Sequence, residues 1–241
     1  MTERYSADFT GGGVCSVVDL GGYAKVYKDI EFTSFSGASI GALIAVCLAA
    51  GKTPEEILDF LIENVRYFNR PILGKRSIRK KVDAFLNGIL FKDLPKECIV
   101  SITPMRKHFS NVITRENARK LTAGQVVALS ASMPGMFLPG FVKLEGKRAL
   151  VWDGGIVLNP PLNPNARNAI FSYNNSGSLA NIFWNRKRWA QEANAHAVFH
   201  PYTRLGIRGG KQEVEEAFRF GKECMRQEKR DFLTQLKFAR L

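Results

Sequence analysis

An α/β fold built on a mostly parallel sheet is predicted by three features of the sequence. Strand-like and helix-like segments alternate along its 241 residues. Two of the strands run straight into glycine-rich turns. Hydrophobic residues make up 45% and charged residues 24%, the balance of a chain that folds around a core and not of a disordered polyelectrolyte. The length fits one domain spanning 1–241.

A first strand at 5–10 leads into Gly11, Gly12 and Gly13, and a second at 30–35 leads into Gly37-Ala38-Ser39-Ile40-Gly41. The apolar run 40–51 that follows reads as a buried helix; a membrane span takes about 20 residues. Thr53, Pro54 and Glu56 form a helix start, with Thr53 as cap, Pro54 at the first helical position and Glu56 closing a capping box. That helix is expected to run to about residue 67. Further strands are expected at 98–103, 111–114, 141–144, 149–152, 169–173 and 197–200. A last helix over 212–240 places Val214, Ala217, Phe218, Gly221 and Met225 near one face, as expected of a closing helix docked on the sheet.

The formal net charge is +13, unevenly placed. Residues 1–65 hold four basic and nine acidic side chains, whereas 66–120 hold 14 and four. Within the second segment Arg66, Arg70, Lys75, Arg76, Arg79, Lys80 and Lys81 occur without an acid, and Tyr67, Phe68, Ile72, Leu73 and Ile78 are interleaved. Such a stretch suits contact with an anionic lipid surface or a lid over 66–90; a solvated helix face is the plainer alternative. Nucleic acid would also answer to positive charge, but no binding motif for it is present and no nucleic-acid partner is expected. The four cysteines are scattered and no secretory leader pattern opens the chain, so reduced thiols and a cytoplasmic location, peripheral to membranes at most, are expected.

Two nucleotide motifs fail on inspection. Gly51-Lys52-Thr53 lacks the earlier glycine of a P-loop, since Val46 stands there. Gly11-x-Gly13-x-x-Ser16 lacks the last glycine of a dinucleotide fingerprint, and no helix plainly starts after it.

Gly37 to Gly41 fits the nucleophile elbow G-x-S-x-G, with the strand and helix that motif requires on either side. The glycines allow a tight turn in which Ser39 projects over the sheet edge, above the positive end of a helix. In a parallel sheet the amides of Gly11, Gly12 and Gly13 can lie beside it as an oxyanion hole, joined by that of Ile40. A serine nucleophile needs a base. None of His108, His196 and His200 sits in a glycine-bounded turn. Asp153 does, at the end of an apolar strand and before Gly154 and Gly155. A buried carboxyl with raised pKa can serve as base to a hydroxyl bonded to it, while the Asp-Gly pair standing alone would read as a hairpin turn.

Taken together, four blocks in order across 11–161 resemble the patatin-like phospholipases. They are the glycine triplet, the elbow, Ala131-Ser132-Met133-Pro134-Gly135-Met136-Phe137-Leu138-Pro139, and Asp153-Gly154-Gly155 followed by Asn159 and Pro161. The resemblance implies a three-layer α/β/α fold, a Ser39 nucleophile with Asp153 as its only partner, Pro134 as a supporting residue, no cofactor and no metal, and lipid acyl esters as substrates. One departure stands out: the triplet continues as Val14-Cys15-Ser16, where the family carries x-Arg/Lys-Gly. Backbone donors survive that change. The alternative it raises is a catalytically silent protein that keeps the fold and binds lipid or a partner.

Overall fold

The computed structural model describes residues 3–68, 74–172, 195–201 and 209–238. In chain order the elements are β1 (Tyr5–Phe9), α1 (Ser16–Val26), β2 (Phe32–Gly37), α2 (Ile40–Ala49), α3 (Pro54–Phe68), α4 (Gly74–Phe85), β3 (Glu97–Pro104), β4 (Val112–Ile113), α5 (Ala123–Ser130), β5 (Gly140–Leu144), β6 (Lys147–Asp153), β7 (Arg167–Phe171), β8 (Ala197–Phe199) and α6 (Lys211–Phe238). The strands form one sheet in the order β5-β6-β3-β2-β1-β7-β8, with β4 paired to β3. The pairs from β3 to β8 along that order are parallel, and β4, β5 and β6 add an antiparallel flank. Helices flank the sheet, as the α/β reading requires.

Alternation along β1 separates two faces. Ala7 and Phe9 join the hydrophobic core, where the Phe9 ring stacks on Phe171 at 5.3 Å and meets the edge of Tyr23 at 5.6 Å. Ser6 and Asp8 turn the other way into a buried polar layer, and both Ser6 Oγ and Ser36 Oγ donate to Asp8 Oδ1, at 2.7 and 2.8 Å. Asn163 crosses under this layer, its side-chain amide donating to Ser34 Oγ at 3.1 Å and Glu97 Oε2 at 3.2 Å.

The expected capping box forms, with Thr53 N–H donating to Glu56 Oε2 at 2.8 Å and Glu56 N–H to Thr53 Oγ1 at 3.2 Å. Two helices, α1 and α5, escape the sequence reading, and α4 entered it only as the alternative of a solvated helix face. A helix does start after the glycine triplet: α1 is buried on almost every side and contains Gly21 and Gly22, so it shows no amphipathic period. The basic stretch continues into α4, whose Ile78 and Val82 are buried, and α5 is a short apolar helix with its own Thr122–Gln125 capping box. The closing helix also docks differently. It lies chiefly along α1, where a Cβ on Gly221 would fall 2.0 Å from Val18 O and one on Gly21 2.1 Å from Phe218 O; it reaches the sheet through Phe232, whose ring is 5.4 Å from Phe171. Tyr173, expected to end a strand, lies outside the described residues, as does residue 240. Among the described residues no helix is long and apolar enough to cross a membrane.

Candidate active site

Where β2 turns into α2, Ser39 takes φ 54° and ψ −122°. Such backbone costs a residue with a side chain on the order of 1–3 kcal/mol and persists only where its surroundings enforce it. Here they do. A Cβ on Gly37 would lie 2.2 Å from Gly41 O, and one on Gly41 2.4 Å from Phe9 O, so the turn closes only with glycine at both positions. The Ser39 N–H donates to Ser130 Oγ at 2.9 Å, which ties the elbow to the end of α5.

Asp153 ends β6 and is 1% exposed. Its N–H donates to Ser132 O at 3.0 Å, its carbonyl accepts from Thr103 Oγ1 at 2.7 Å, and its Oδ1 accepts from Gly155 N–H at 2.9 Å. Gly154 passes so close to β3 that a Cβ there would lie 2.1 Å from Ser101 O. Burial pushes the Asp153 carboxyl up to about 6, opposed by the Ser39 hydroxyl and the Gly155 amide, which favour its charged form. Oδ2 is buried without a hydrogen-bond partner. The Ser39 hydroxyl therefore acts on this carboxyl from nearby, short of a second full hydrogen bond.

The glycine loop divides in two. Gly11 packs onto the elbow, where a Cβ would lie 2.8 Å from Ser39 Cβ, and its N–H donates to Asn159 Oδ1 at 2.6 Å. That amide is spent on holding the loop, which corrects the expectation that all three glycines offer donors. The N–H groups of Gly12, Gly13 and Ile40 donate to no described residue. Gly13 adopts φ 63°, at the start of the turn into α1.

Ser39, Gly13 and Ile40 all line one pocket of about 610 Å³, counting its open mouth. Its walls are otherwise apolar: Val14 and Val17, Leu61, Val65 and Phe68 from α3, Ile78 from α4, Met133, Met136 and Phe137, and Val214 from α6. No histidine is among them. His108 is exposed, and His196 Nδ1 accepts from Asn168 N–H at 3.2 Å. Pro134 is exposed in the turn between Met133 and Met136.

The basic stretch falls beside this pocket; its described apolar side chains Tyr67, Phe68 and Ile78 pack toward the core, and Ile72 and Leu73 lie outside the described residues. Ile78 is 2% exposed, so it is not available to a lipid surface as the interleaving had suggested, while half-buried Phe68 lines the pocket. Lys75, Arg76 and Arg79 line a separate groove, Lys80 and Lys81 are exposed, Arg66 Nη2 donates to Tyr67 Oη at 2.8 Å, and Arg70 lies outside the described residues. Two positioning residues are absent from the sequence reading: Ser130, one place before the third block, and Asp19, which accepts from Thr10 Oγ1 at 3.0 Å inside the unrecognised α1. Asn159 was visible as part of the fourth block, without its bond to Gly11.

The α/β sheet thus brings a strained serine elbow, a buried carboxyl and a glycine loop together beside an apolar pocket. The family model of patatin-like phospholipases matches residues 9–165, and the chain belongs to that family. YqhO of Bacillus subtilis (strain 168), an uncharacterised protein, is 29% identical over 187 residues, 64% of each chain, so the match spans less than two thirds of that relative. VipD from Legionella pneumophila has a similar fold, with TM-score 0.56 and 14% identity over 95% of this chain and 67% of its own. Human GIVD cytosolic phospholipase A2 gives TM-score 0.55 and 8% identity, covering 98% of this chain and 60% of the other.

Proposed function

We propose that this chain is a lipid acyl hydrolase of phospholipase A or lysophospholipase type. The observation that carries the reading is the Ser39 elbow opening into an apolar pocket with Asp153 buried behind it. Asp153 takes the Ser39 hydroxyl proton as Oγ attacks the ester carbonyl. The carbonyl oxygen becomes an oxyanion facing the unspent amides of Gly12, Gly13 and Ile40. Collapse expels the alcohol, which leaves with the proton Asp153 had taken. Water then gives a proton to the same carboxylate and its oxygen to the acyl carbon, and as the bond from that carbon to Ser39 Oγ breaks Asp153 passes the proton to Oγ, releasing the fatty acid and restoring Ser39 and the carboxylate. The acyl chain lies along Met133, Phe137, Leu61 and Val65, where each buried methylene contributes about 0.8 kcal/mol. The substrate is met at an anionic membrane surface to which the protein is peripheral.

Intact mass spectrometry after fluorophosphonate treatment tests the assignment. Wild type gains one adduct, Ser39→Ala none, and Asp153→Asn gains it at least about 100-fold more slowly, the usual contribution of a positioned base. A folded wild type that stays unmodified would favour the silent, lipid-binding alternative; an adduct that persists in Ser39→Ala would move the nucleophile elsewhere.

A further inference from the structure

Among the described residues of the basic stretch, the apolar side chains Tyr67, Phe68 and Ile78 are buried or half-buried against the core and supply no exposed apolar surface. Such a surface is present on a neighbouring element. Among the described residues six large hydrophobic side chains are exposed, and four of them gather on or beside the outward face of the β5–β6 hairpin. Phe141 and Leu150 are cross-strand partners, 63% and 44% exposed. Met105, 61% exposed, donates its N–H to Leu150 O at 2.9 Å, and Leu138, 63% exposed, lies one residue short of the hairpin, before Pro139. Such a cluster on a water-soluble surface marks a binding face.

The charge on this hairpin is predominantly positive, with Lys143, Lys147 and Arg148 exposed against a single acid, Glu145, in its turn. Lys143 and Arg148 stand directly opposite each other across the strands, both exposed, an arrangement of like charges that destabilises a hairpin in isolation. Arg106 reaches over the same edge, its Nη1 3.5 Å from Arg148 O. Towards α4, Leu138 and Phe141 line an open groove together with Lys75 and Arg76. Lys75 Nζ donates to Leu138 O at 3.1 Å and has no carboxylate partner among the described residues. Burial pushes its ammonium down to about 8. An anion in the groove would relieve that cost.

We infer that the outer face of the β5–β6 hairpin, with the adjoining end of α4, docks the protein on an anionic phospholipid bilayer. Phe141, Leu150, Leu138 and Met105 enter the boundary between headgroups and acyl chains, and Lys143, Arg148, Lys75 and Arg76 meet lipid phosphates. A second copy of the chain is a poor occupant, since a two-fold contact would set the Lys143–Arg148 pairs against one another. The segment linking this face to the pocket is short. Met136 and Phe137 line the pocket and Leu138 is the next residue, so a lipid drawn from the docked leaflet enters beside Ser39. The inference rests on the lipid-hydrolase reading and specifies where that enzyme meets its substrate.

Sedimentation with phosphatidylcholine vesicles, with and without phosphatidylglycerol, tests it on the full chain. Wild type is expected to bind the anionic vesicles and to lose binding as salt rises. Lys143→Glu with Arg148→Glu lowers the apparent affinity at least about tenfold at low salt, and Phe141→Ser with Leu150→Ser abolishes the part that resists salt. Both double variants keep the wild-type rate on the soluble ester p-nitrophenyl butyrate and lose rate on vesicle phospholipid. Equal binding by wild type and both variants overturns the inference. So does binding indifferent to phosphatidylglycerol, a dimer in analytical ultracentrifugation that both variants dissolve, or preferential binding of an oligonucleotide through the same residues. Docking that depends on these residues while neither ester is cleaved overturns the hydrolase reading and leaves the docking face standing. Cleavage of p-nitrophenyl butyrate without vesicle binding does the reverse.

Discussion

Ser39 and Asp153 are held by different means, and variants should separate them. The serine is positioned through its backbone, by Ser130 and by glycines that leave no room for a side chain; the aspartate is positioned through its carboxyl and its strand. Ser130→Ala removes the acceptor of the Ser39 amide. A buried amide left unpaired costs about 1–3 kcal/mol, so kcat/KM is expected to fall on the order of tenfold with little change in the pH profile. Asp153→Glu should instead alter the profile. In the wild type the carboxyl must be ionised to act as a base, and burial raises it to about 6. Activity is therefore expected to rise as pH passes about 6 and to be lost below it, measured as kcat/KM against pH on a soluble ester. A rising limb near pH 4 would mean that the base is a solvated carboxyl and not Asp153.

Elements whose local signal agreed with their tertiary role were readable. The elbow, the Thr53 cap and the strand ending at Asp153 each carry glycine, capping or alternation patterns that no neighbour overrides. The α1 helix carries the opposite pattern: Gly21 and Gly22 argue against a helix, and they are there because α6 and the Phe199 ring come too close for side chains. A glycine required by a partner distant in sequence looks the same as a glycine required by a loop. The same blindness hid the bond from Gly11 to Asn159, which spans 148 positions. It also hid the inward turn of Ile78, since a basic helix reads as amphipathic without revealing what its apolar side covers. Gly221→Ala tests the helix crossing. Its Cβ would fall 2.0 Å from Val18 O, so α6 must lift from α1. Overpacking of this kind costs about 1–3 kcal/mol, and a chain of this size loses roughly 2–4 °C per kcal/mol, so a fall of several degrees is expected in a thermal melt.

Across the whole molecule, the layer beneath the sheet makes stability depend on pH. Asp8 is fully buried, and burial raises its carboxyl to about 7 despite hydrogen bonds from Ser6 and Ser36 that favour its charged form. Ser36 Oγ is also bonded to Pro161 O, yet it has a single proton to give. The set balances when Asp8 is protonated and donates in its turn. Because the folded value lies above the unfolded one, the stabilisation is fully present below about pH 4 and is lost as pH rises through about 7. Asp153, raised to about 6, adds to the same trend. Asp8→Asn is expected to flatten the decline in urea midpoint between pH 4 and 7; an unchanged slope would assign the effect to other groups.

Val214 lies 175 positions after Ser39 along the chain, yet it closes the wall of the same pocket, and its helix clamps the one that begins beside the glycine loop. Every group assigned to the chemistry has left the ribosome well before that helix has. On the proposed reading, the growing chain carries its assigned nucleophile, base and amides before α6 completes the cleft for an acyl chain, and cleavage of lipid would wait on that helix.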